Sequence, residues 1–441
     1  MAGRRRRRGI SFGTVFMLLF TALVVAACVL FLTMILGTDV YARTEEFIRT
    51  LSDEGMFVQT EFTRTTPVPR RIITFIEDTP APAAPATPTP VPEKRTIRLA
   101  VGGAVYAPKA VRQSAQNGSG YDFSAAFEGV KGVFGAADLS IATLETAAAG
   151  QSLGLDSHNA PPELLDALRD CGVDLLALAT ERALDKGYEG LDLTISELTR
   201  RGMAYSGLNP ESGSRATMMR IGGVQVAVLS YAYGLSESGI KQTDSDARGV
   251  VARMNAEVMI QDVKQARVDG ANLVIVLPHW GTKNKQETAD TVRILAKRLA
   301  EAGADVILGA HPNVVQGTER LCVTRSDGLT YETIVCYSLG SLMTDSRAKE
   351  NTAGMIAQLD VTYDPVTRRT ELGGLTCVPV YIASQREAGG TVYRVVNAQD
   401  ETELGRLESS EQKNAAAAAE YVISAAKDES AAAKKRTGGQ E

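Results

Sequence analysis

Two short segments of this 441-residue chain carry residue types that chemistry often needs, Pro278-His279-Trp280-Gly281 and Gly309-Ala310-His311-Pro312-Asn313. They hold two of the three histidines and the only tryptophan. Each directly follows a short apolar run, 273–277 and 306–308. Three further runs lead into Gly102-Gly103, into Thr143-Leu144-Glu145-Thr146, and into Thr180-Glu181-Arg182 with Asp185 and Gly187 close behind. Open α/β sheets bind ligands outside the carboxyl ends of their strands, so these positions are where a site is expected. Glu145, Asp185, His279 and His311 are the candidate catalytic residues. Two imidazoles and one or two carboxylates facing one crevice suffice for a divalent metal, with His279 and His311 as the metal ligands. Glu145 or Asp185 would then act as a further ligand or as general base. Arg182, Trp280 and Asn313 are candidate ligand-binding residues. A lone histidine after a strand is more often a hydrogen-bonded structural residue; two at neighbouring strand ends shift the balance. His158 lies in the polar loop Asp156-Ser157-His158-Asn159, where the sequence offers it no partner, and it is set aside.

The elements that must position these residues follow a regular rhythm. Apolar runs at 97–101, 139–142, 175–179, 224–230, 273–277 and 306–308 alternate with amphipathic stretches at 162–171, 191–201, 254–269 and 290–302. Strands alternating with helices of this length imply a mainly parallel sheet covered by helices. Ala302-Gly303-Ala304-Asp305 ends a helix on a glycine and starts the next strand at once. Beyond about residue 317 the pattern turns to hairpins, at 320–324, 331–337, 355–363 and 375–382. The expectation is one α/β domain over residues 94–397, finished by antiparallel strands. Residues 398–441 read as an Ala-rich, charged low-complexity tail with one weak helix at 415–419.

What precedes the domain is of a different kind. Residues 9–38 contain no Asp, Glu, Lys or Arg and are mostly Phe, Leu, Val, Ala, Met and Ile. About 20 such residues cross a bilayer as a helix. Arg4 to Arg8 precede the run, which places the N-terminus inside and the rest of the chain outside the cytoplasm. A cleaved signal peptide has a shorter apolar region that ends in a small-residue site, whereas Ala26-Ala27-Cys28 falls mid-run. The expected order is a cytoplasmic basic tip at 1–8, a transmembrane helix at 9–38, a stem at 39–77 and a Pro/Ala/Thr spacer at 78–93. The spacer's polyproline-type run from Pro80 to Pro92 spans roughly 40 Å. Setting aside the five arginines of the tip leaves 42 Lys+Arg against 52 Asp+Glu, a net of −10. Such a surface has no general attraction for nucleic acid. Cys171, Cys322, Cys336 and Cys377 lack both the density of a disulfide framework and the spacing of a metal site.

An ordered set of motifs resembles the CapA family, the poly-γ-glutamate capsule synthesis proteins, whose fold is similar to calcineurin-like metallophosphoesterases. The set includes Tyr121-Asp122-Phe123, Leu144-Glu145-Thr146, Ala160-Pro161-Pro162-Glu163, Ala183-Leu184-Asp185-Lys186-Gly187, His279-Trp280-Gly281, Gly309-Ala310-His311-Pro312 and Tyr337-Ser338-Leu339-Gly340. The resemblance implies a metallophosphoesterase-like α/β sandwich with C-terminal antiparallel strands, here preceded by one transmembrane helix. It also implies a metal site, and there the chain departs from the family. Gly103 stands where the family has Asp, Thr143 where it has Asn, and Thr180-Glu181-Arg182 where it has Asn-Asn-His. Ala310 and Asn313 occupy the outer two histidine positions around His311. A two-metal phosphoesterase site needs several O and N ligands, which Glu145, Asp185, His279 and His311 alone do not supply. Arg182 adds a fixed cation that repels a metal and suits a carboxylate or phosphate instead. A two-metal site is therefore not expected; a single divalent ion stays open.

Three functional readings remain. The first is a membrane-anchored extracytoplasmic protein acting in synthesis, export or handling of an anionic cell-surface polymer, with little or no phosphoesterase activity. Its partners would be the membrane and either that polymer or the membrane subunits that make it. The second is a metal-dependent hydrolase of phosphoester or amide bonds, and the third a structural membrane-tethered scaffold.

Overall fold

The computed structural model describes residues 92–387 and 389–427, all within the second of two compact units, which begins at Pro88. The basic tip, the anchor, the stem and nearly all of the spacer expected from the sequence lie outside the described residues. Among the described residues no helix is long and apolar enough to cross a membrane.

Two mixed sheets form the framework. In the first, β1 (Arg95–Val105), β4 (Leu139–Leu144), β5 (Leu175–Ala177) and β6 (Ala204–Ser206) run parallel. Antiparallel β14 (Ala353–Asp364), β15 (Arg369–Glu387) and β16 (Gly390–Asn397) extend the sheet from the other side of β1. The short β13 (Ser341–Met343) lies parallel to the end of β1. In the second sheet β8 (Val224–Ala232), β9 (Leu273–His279), β10 (Val306–Leu308) and β12 (Thr330–Cys336) run parallel. That sheet is flanked by antiparallel β7 (Thr217–Ile221) and β11 (Thr318–Thr324). A two-residue hairpin, β2 (Gln116–Asn117) and β3 (Gly120–Tyr121), stands apart.

The side-chain period of two explains why there are two sheets and three apolar layers. Ile97, Leu99 and Val101 of β1 share one buried cluster with Val224, Val226, Val228, Leu273, Ile275 and Leu277, so the sheets pack face to face. The alternate residues face outward. Ala100 and Val105 meet helices α2 (Ser124–Gly135), α3 (Glu163–Cys171) and α4 (Gly187–Arg200), which follow the short α1 (Lys109–Ser114). Leu229, Val274 and Val276 meet α6 (Ala256–Val268) and α7 (Asp290–Ala302). Each fully buried Val, Leu or Ile contributes about 1.5–3 kcal/mol. Local signals agree with this packing. Asn255 caps α6 by accepting from the Glu257 and Val258 N–H groups, and α7 ends on Gly303 with φ 126.

All six apolar runs lie in strands; they divide between two mixed sheets, in keeping with the α/β sandwich the resemblance implies and not with the single parallel sheet that the strand–helix rhythm suggests. A strand buried on both faces reads the same whether helix or sheet covers the second face. The tail differs too. Beyond α8 (Glu401–Gly405), helix α9 (Ser409–Ala425) puts Ala415, Ala418 and Val422 into the inter-sheet cluster. Buried Glu411 accepts from the Tyr381 hydroxyl at 2.9 Å and the Ser384 N–H at 2.9 Å. The folded unit therefore continues past residue 397, because small alanines suit close helix-on-sheet packing that composition alone does not reveal. Among the described residues the four cysteines are free thiols, Cys171 and Cys336 buried and Cys322 exposed.

Truncation after Asn397 is expected to expose this cluster and lower the thermal midpoint by more than about 10 °C. A circular dichroism melt of the truncated chain that overlays the full-length one would show α9 to be dispensable.

Candidate functional site

The crevice lies at the carboxyl ends of the parallel strands, where the two sheets meet. β1 runs on through Gly102-Gly103 to Val105, so Tyr106 rather than Gly103 emerges at its end. β4 delivers Glu145, whose N–H donates to the Val105 carbonyl at 2.8 Å. The loop after β5 carries Glu181, Arg182 and Asp185. β9 ends on His279, and a bridge between His279 and Ala310 aligns the loop that carries His311 and Asn313.

Glu145 and His279 form the centre of the site. Oε1 of the one lies 2.7 Å from Nε2 of the other, and both side chains are buried. Burial alone would raise the Glu145 carboxyl, but the attraction and hydrogen bond of His279, with Arg182 behind them, hold it below its ordinary value. An ionised carboxylate only accepts, so the proton lies on His279 Nε2. Nδ1 of His279 is buried and has no protein hydrogen-bond partner. The His311 ring sits edge-on to that of His279 with centroids 4.7 Å apart, and its Nδ1 is 3.6 Å from Glu181. Desolvation, then the charge of His279, push His311 down to about 4, so it is neutral at physiological pH.

Arg182 stacks on the Tyr106 ring at 4.5 Å and donates to Asp185 at 3.2 Å. Burial would lower this guanidinium, but the carboxylates of Asp185, Glu181 and Glu145 around it keep it charged. Burial also raises the Tyr106 phenol, which therefore stays protonated. Asp185 is completed by the Ser236 hydroxyl, and Lys283 pairs with Glu181. A cleft of roughly 290 Å³ opens onto Tyr106, Glu145, Arg182, Asn284, Asn313 and the hydroxyls of Ser341, Thr344 and Ser346. Three residues here, Asn284 (φ 59), His311 (φ 97) and Asn313 (φ 61), hold backbone conformations that L-residues rarely adopt. Such strain collects at ligand sites, where the surrounding structure over-determines it.

Most of the residues expected from the sequence converge. Glu145, Arg182 and Asn313 line the cleft, His279 and His311 stand beside Glu145, and Asp185 lies behind Arg182. Trp280 does not belong. It is buried, and its indole N–H donates to the Tyr337 carbonyl at 2.9 Å, so it is a core residue of the second sheet. A strand end alternates between crevice and core, and Trp280 takes the core side. His158, for which the sequence offers no partner, has its Nε2 3.8 Å from Asp185 but does not line the cleft. Tyr106 and Asn284 were missed. The extension of β1 past the glycine pair concealed Tyr106.

The donors do not fit a metal. His279 Nε2 and Glu145 Oε1 are spent on each other, and Asp185 is spent on Arg182 and Ser236. Three protein donors around one point are the least a zinc-type site uses, and Arg182 repels a cation there. Among the described residues no group of three or more His, Cys, Asp or Glu is arranged to hold an ion. The vacancy at Gly103 is built into the backbone, because a Cβ there would meet the Gly340 carbonyl oxygen at 2.2 Å.

Fold and site thus define an α/β protein of two facing mixed sheets with a charge-paired polar crevice at their strand ends. The chain belongs to the family described as "Bacterial capsule synthesis protein PGA_cap", which it matches over residues 98–346. The span includes all the crevice residues named above. The chain is 26% identical over 194 residues to PGA biosynthesis protein CapA of Bacillus subtilis (strain 168), covering 42% of this chain and 46% of that protein. It is 27% identical over 200 residues to capsule biosynthesis protein CapA of Bacillus anthracis, covering 42% and 44%. The matched segment thus spans less than half the length of these relatives. Among solved structures, calcineurin-like phosphoesterase YfkN from Bacillus subtilis aligns with a TM-score of 0.43 and 11% identity, over 74% of this chain and 100% of that one. Haemophilus influenzae NAD nucleotidase aligns at 0.42 and 12%, over 78% and 59%.

Two outcomes are expected. His311 binds its proton more weakly folded (about 4) than unfolded (6.5), so the folded state holds fewer protons between those values. Its contribution to stability is present above 6.5 and is lost as pH falls towards 4. His311→Asn, which tolerates the backbone there, flattens the fall in thermal midpoint over that range; an unchanged slope would refute the assignment. Gly103→Asp, meant to restore the family carboxylate, lowers stability by several kcal/mol instead. A melt that shows a stable Gly103→Asp protein with new metal uptake would contradict the clash.

Proposed function

We propose that this is a membrane-anchored, extracytoplasmic member of the capsule synthesis family that acts in synthesis, export or handling of an anionic cell-surface polymer. Little or no metallophosphoesterase activity goes with this role. The observation that carries the reading is Arg182, a guanidinium held against Tyr106 and the one cation lining a cleft that also carries amides, hydroxyls and the carboxylates of Glu145 and Asp345. A guanidinium fork with amide and hydroxyl donors beside it suits a carboxylate, whose charge needs matching and whose second oxygen needs a hydrogen bond. Family membership and the names of the curated relatives support capsule polymer, and poly-γ-glutamate in particular, as the source of that carboxylate. The arginine tip and apolar run before residue 39 support the location. Nucleic acid is not among the partners proposed, given the net charge of −10 outside the tip and run.

Catalysis by a bound metal is not part of this reading, because Glu145 and Asp185 are already paired with His279 and Arg182, and among the described residues no third donor joins the two imidazoles. The Glu145–His279 pair instead acts as a fixed dipole at the floor of the cleft.

The test is binding of soluble poly-γ-glutamate to the full-length protein in detergent, across a series of salt concentrations. Affinity should fall with salt. Arg182→Gln should weaken it about tenfold or more, the value of a charge-assisted hydrogen bond, measured below the lowered thermal midpoint that loss of the Asp185 partner brings. Polymer that binds equally to both proteins, or to neither at any salt, would exclude the role given to Arg182. The same preparation should carry no stoichiometric metal and show no shift in melting with Mn²⁺ or Zn²⁺. Stoichiometric metal lost in His279→Ala would instead favour the hydrolase.

A further inference from the structure

The other pole of the sheets, at the amino ends of the parallel strands, carries a second cleft of roughly 470 Å³. Three loops converge on it. One is the end of α6 with the link to β9, which brings Lys264, Arg267 and Val268. The second is the β11–β12 turn, which brings Arg325 and Asp327. The third is the β14–β15 turn, which brings Arg368. Register places them together, since Arg95 at the start of β1 pairs with Tyr363 and the Thr370 hydroxyl donates to the Asn272 carbonyl at 2.6 Å.

Each loop also exposes an aliphatic side chain. Val268 is 78% exposed, Val366 in the β14–β15 turn 62%, and Leu329 in the β11–β12 turn 47%. These are three of the seven large hydrophobics exposed among the described residues. Single exposed aliphatics are ordinary; one on each of three loops around one basic cleft is not. The cations divide into two kinds. Arg267 and Arg325 hold Asp305 between them and bond to carbonyls, so they are part of the scaffold. Arg325 and Arg369 stack on Tyr331 at 4.3 and 4.9 Å. Lys264 and Arg368 are exposed and make no ion pair among the described residues. The acids nearby keep their charge but are tied to their own segments: Asp327 accepts from the Tyr331 hydroxyl at 2.5 Å, Asp364 caps its own turn, and Asp269 accepts from Gln265 at 2.7 Å. Four cations thus face two carboxylates, Asp305 and Asp327, in the cleft lining.

The chain joins the domain at this same pole. Lys94, just before β1, lies 3.8 Å from Asp364 and 3.3 Å from Glu371.

We propose that this pole is a docking surface for an anionic phospholipid bilayer. Phosphate headgroups match Lys264 and Arg368, and the interfacial region takes up Val268, Leu329 and Val366, as on other basic, amphipathic surfaces that lie on membranes. A soluble polyanion would satisfy the cations and leave the aliphatics in water, which is why the bilayer is the better occupant. Docking turns the Arg182 cleft away from the lipid. It does not depend on what that cleft binds.

The test uses the full chain in nanodiscs of phosphatidylcholine with or without phosphatidylglycerol, read by amide hydrogen exchange. Phosphatidylglycerol should slow exchange at 264–271, 325–330 and 364–369, and high salt should reverse it. Lys264→Gln and Arg368→Gln should each cut that protection about fivefold. Val268→Ser combined with Leu329→Ser should also reduce it. Equal exchange in the two lipids overturns the proposal. So does protection untouched by the serine variant, or reproduced by soluble polyglutamate in neutral discs, either of which assigns the cations to a soluble polyanion.

Discussion

Glu145 belongs to the first sheet and His279 to the second, and the 2.7 Å hydrogen bond between them is made where water is excluded. Two facing sheets held only by aliphatic side chains can slide or splay at their ends. Here the carboxyl ends are stitched together across the crevice. Besides this pair, Lys283 reaches Glu181, Ser236 reaches Asp185, and the Ser236 N–H donates to the Glu181 carbonyl at 2.7 Å. Breaking a buried pair by removing one partner typically costs about 3–5 kcal/mol, because the other charge is left desolvated. The carboxylates and imidazoles are therefore committed to holding the sheets in register, and their availability as ligands is reduced accordingly.

That commitment orders the rest of the site. With Asp185 spent on Arg182 and Ser236, the guanidinium is fixed in place and lies flat on Tyr106. Burial beside His279 makes His311 lose its proton readily, so its ring stands neutral 3.6 Å from Glu181. The unusual backbone at Asn284, His311 and Asn313 is tolerated because the flanking strands are locked. The Asn284 N–H, for example, donates to the Pro312 carbonyl at 2.8 Å.

Much of the fold was legible in the sequence because apolar runs and helical stretches have distinct periods. Residues 139–142 and 306–308 could hardly be anything but buried strands. What the period does not say is which neighbour covers each face, so two sheets looked like one. Helix α9 was hidden for a different reason. Its alanines pack closely through small side chains, and a run of alanines looks the same in a solvated tail. In the site, the rule that functional groups follow strands located Glu145, Arg182, His279 and Asn313. It failed for Trp280, since consecutive residues at a strand end point to opposite sides. The contact of His158 with Asp185 was not legible either, since it joins segments which no local pattern connects.

The placement of β1 bears on how the molecule comes to be made. It is the first strand of the domain, yet it sits in the interior of its sheet, with β4 on one side and β14 on the other. Its pairing of Thr96 with Thr362 cannot form until most of the chain has been synthesised. Until then one edge of β1 presents open N–H and C=O groups next to Ile97, Leu99 and Val101, a template for wrong partners. Non-local pairings of this kind fold slowly, since the loop must close before any contact compensates for it. A nascent chain of this protein therefore has a long vulnerable interval, which ends only when β14, the last elements and α9 arrive together.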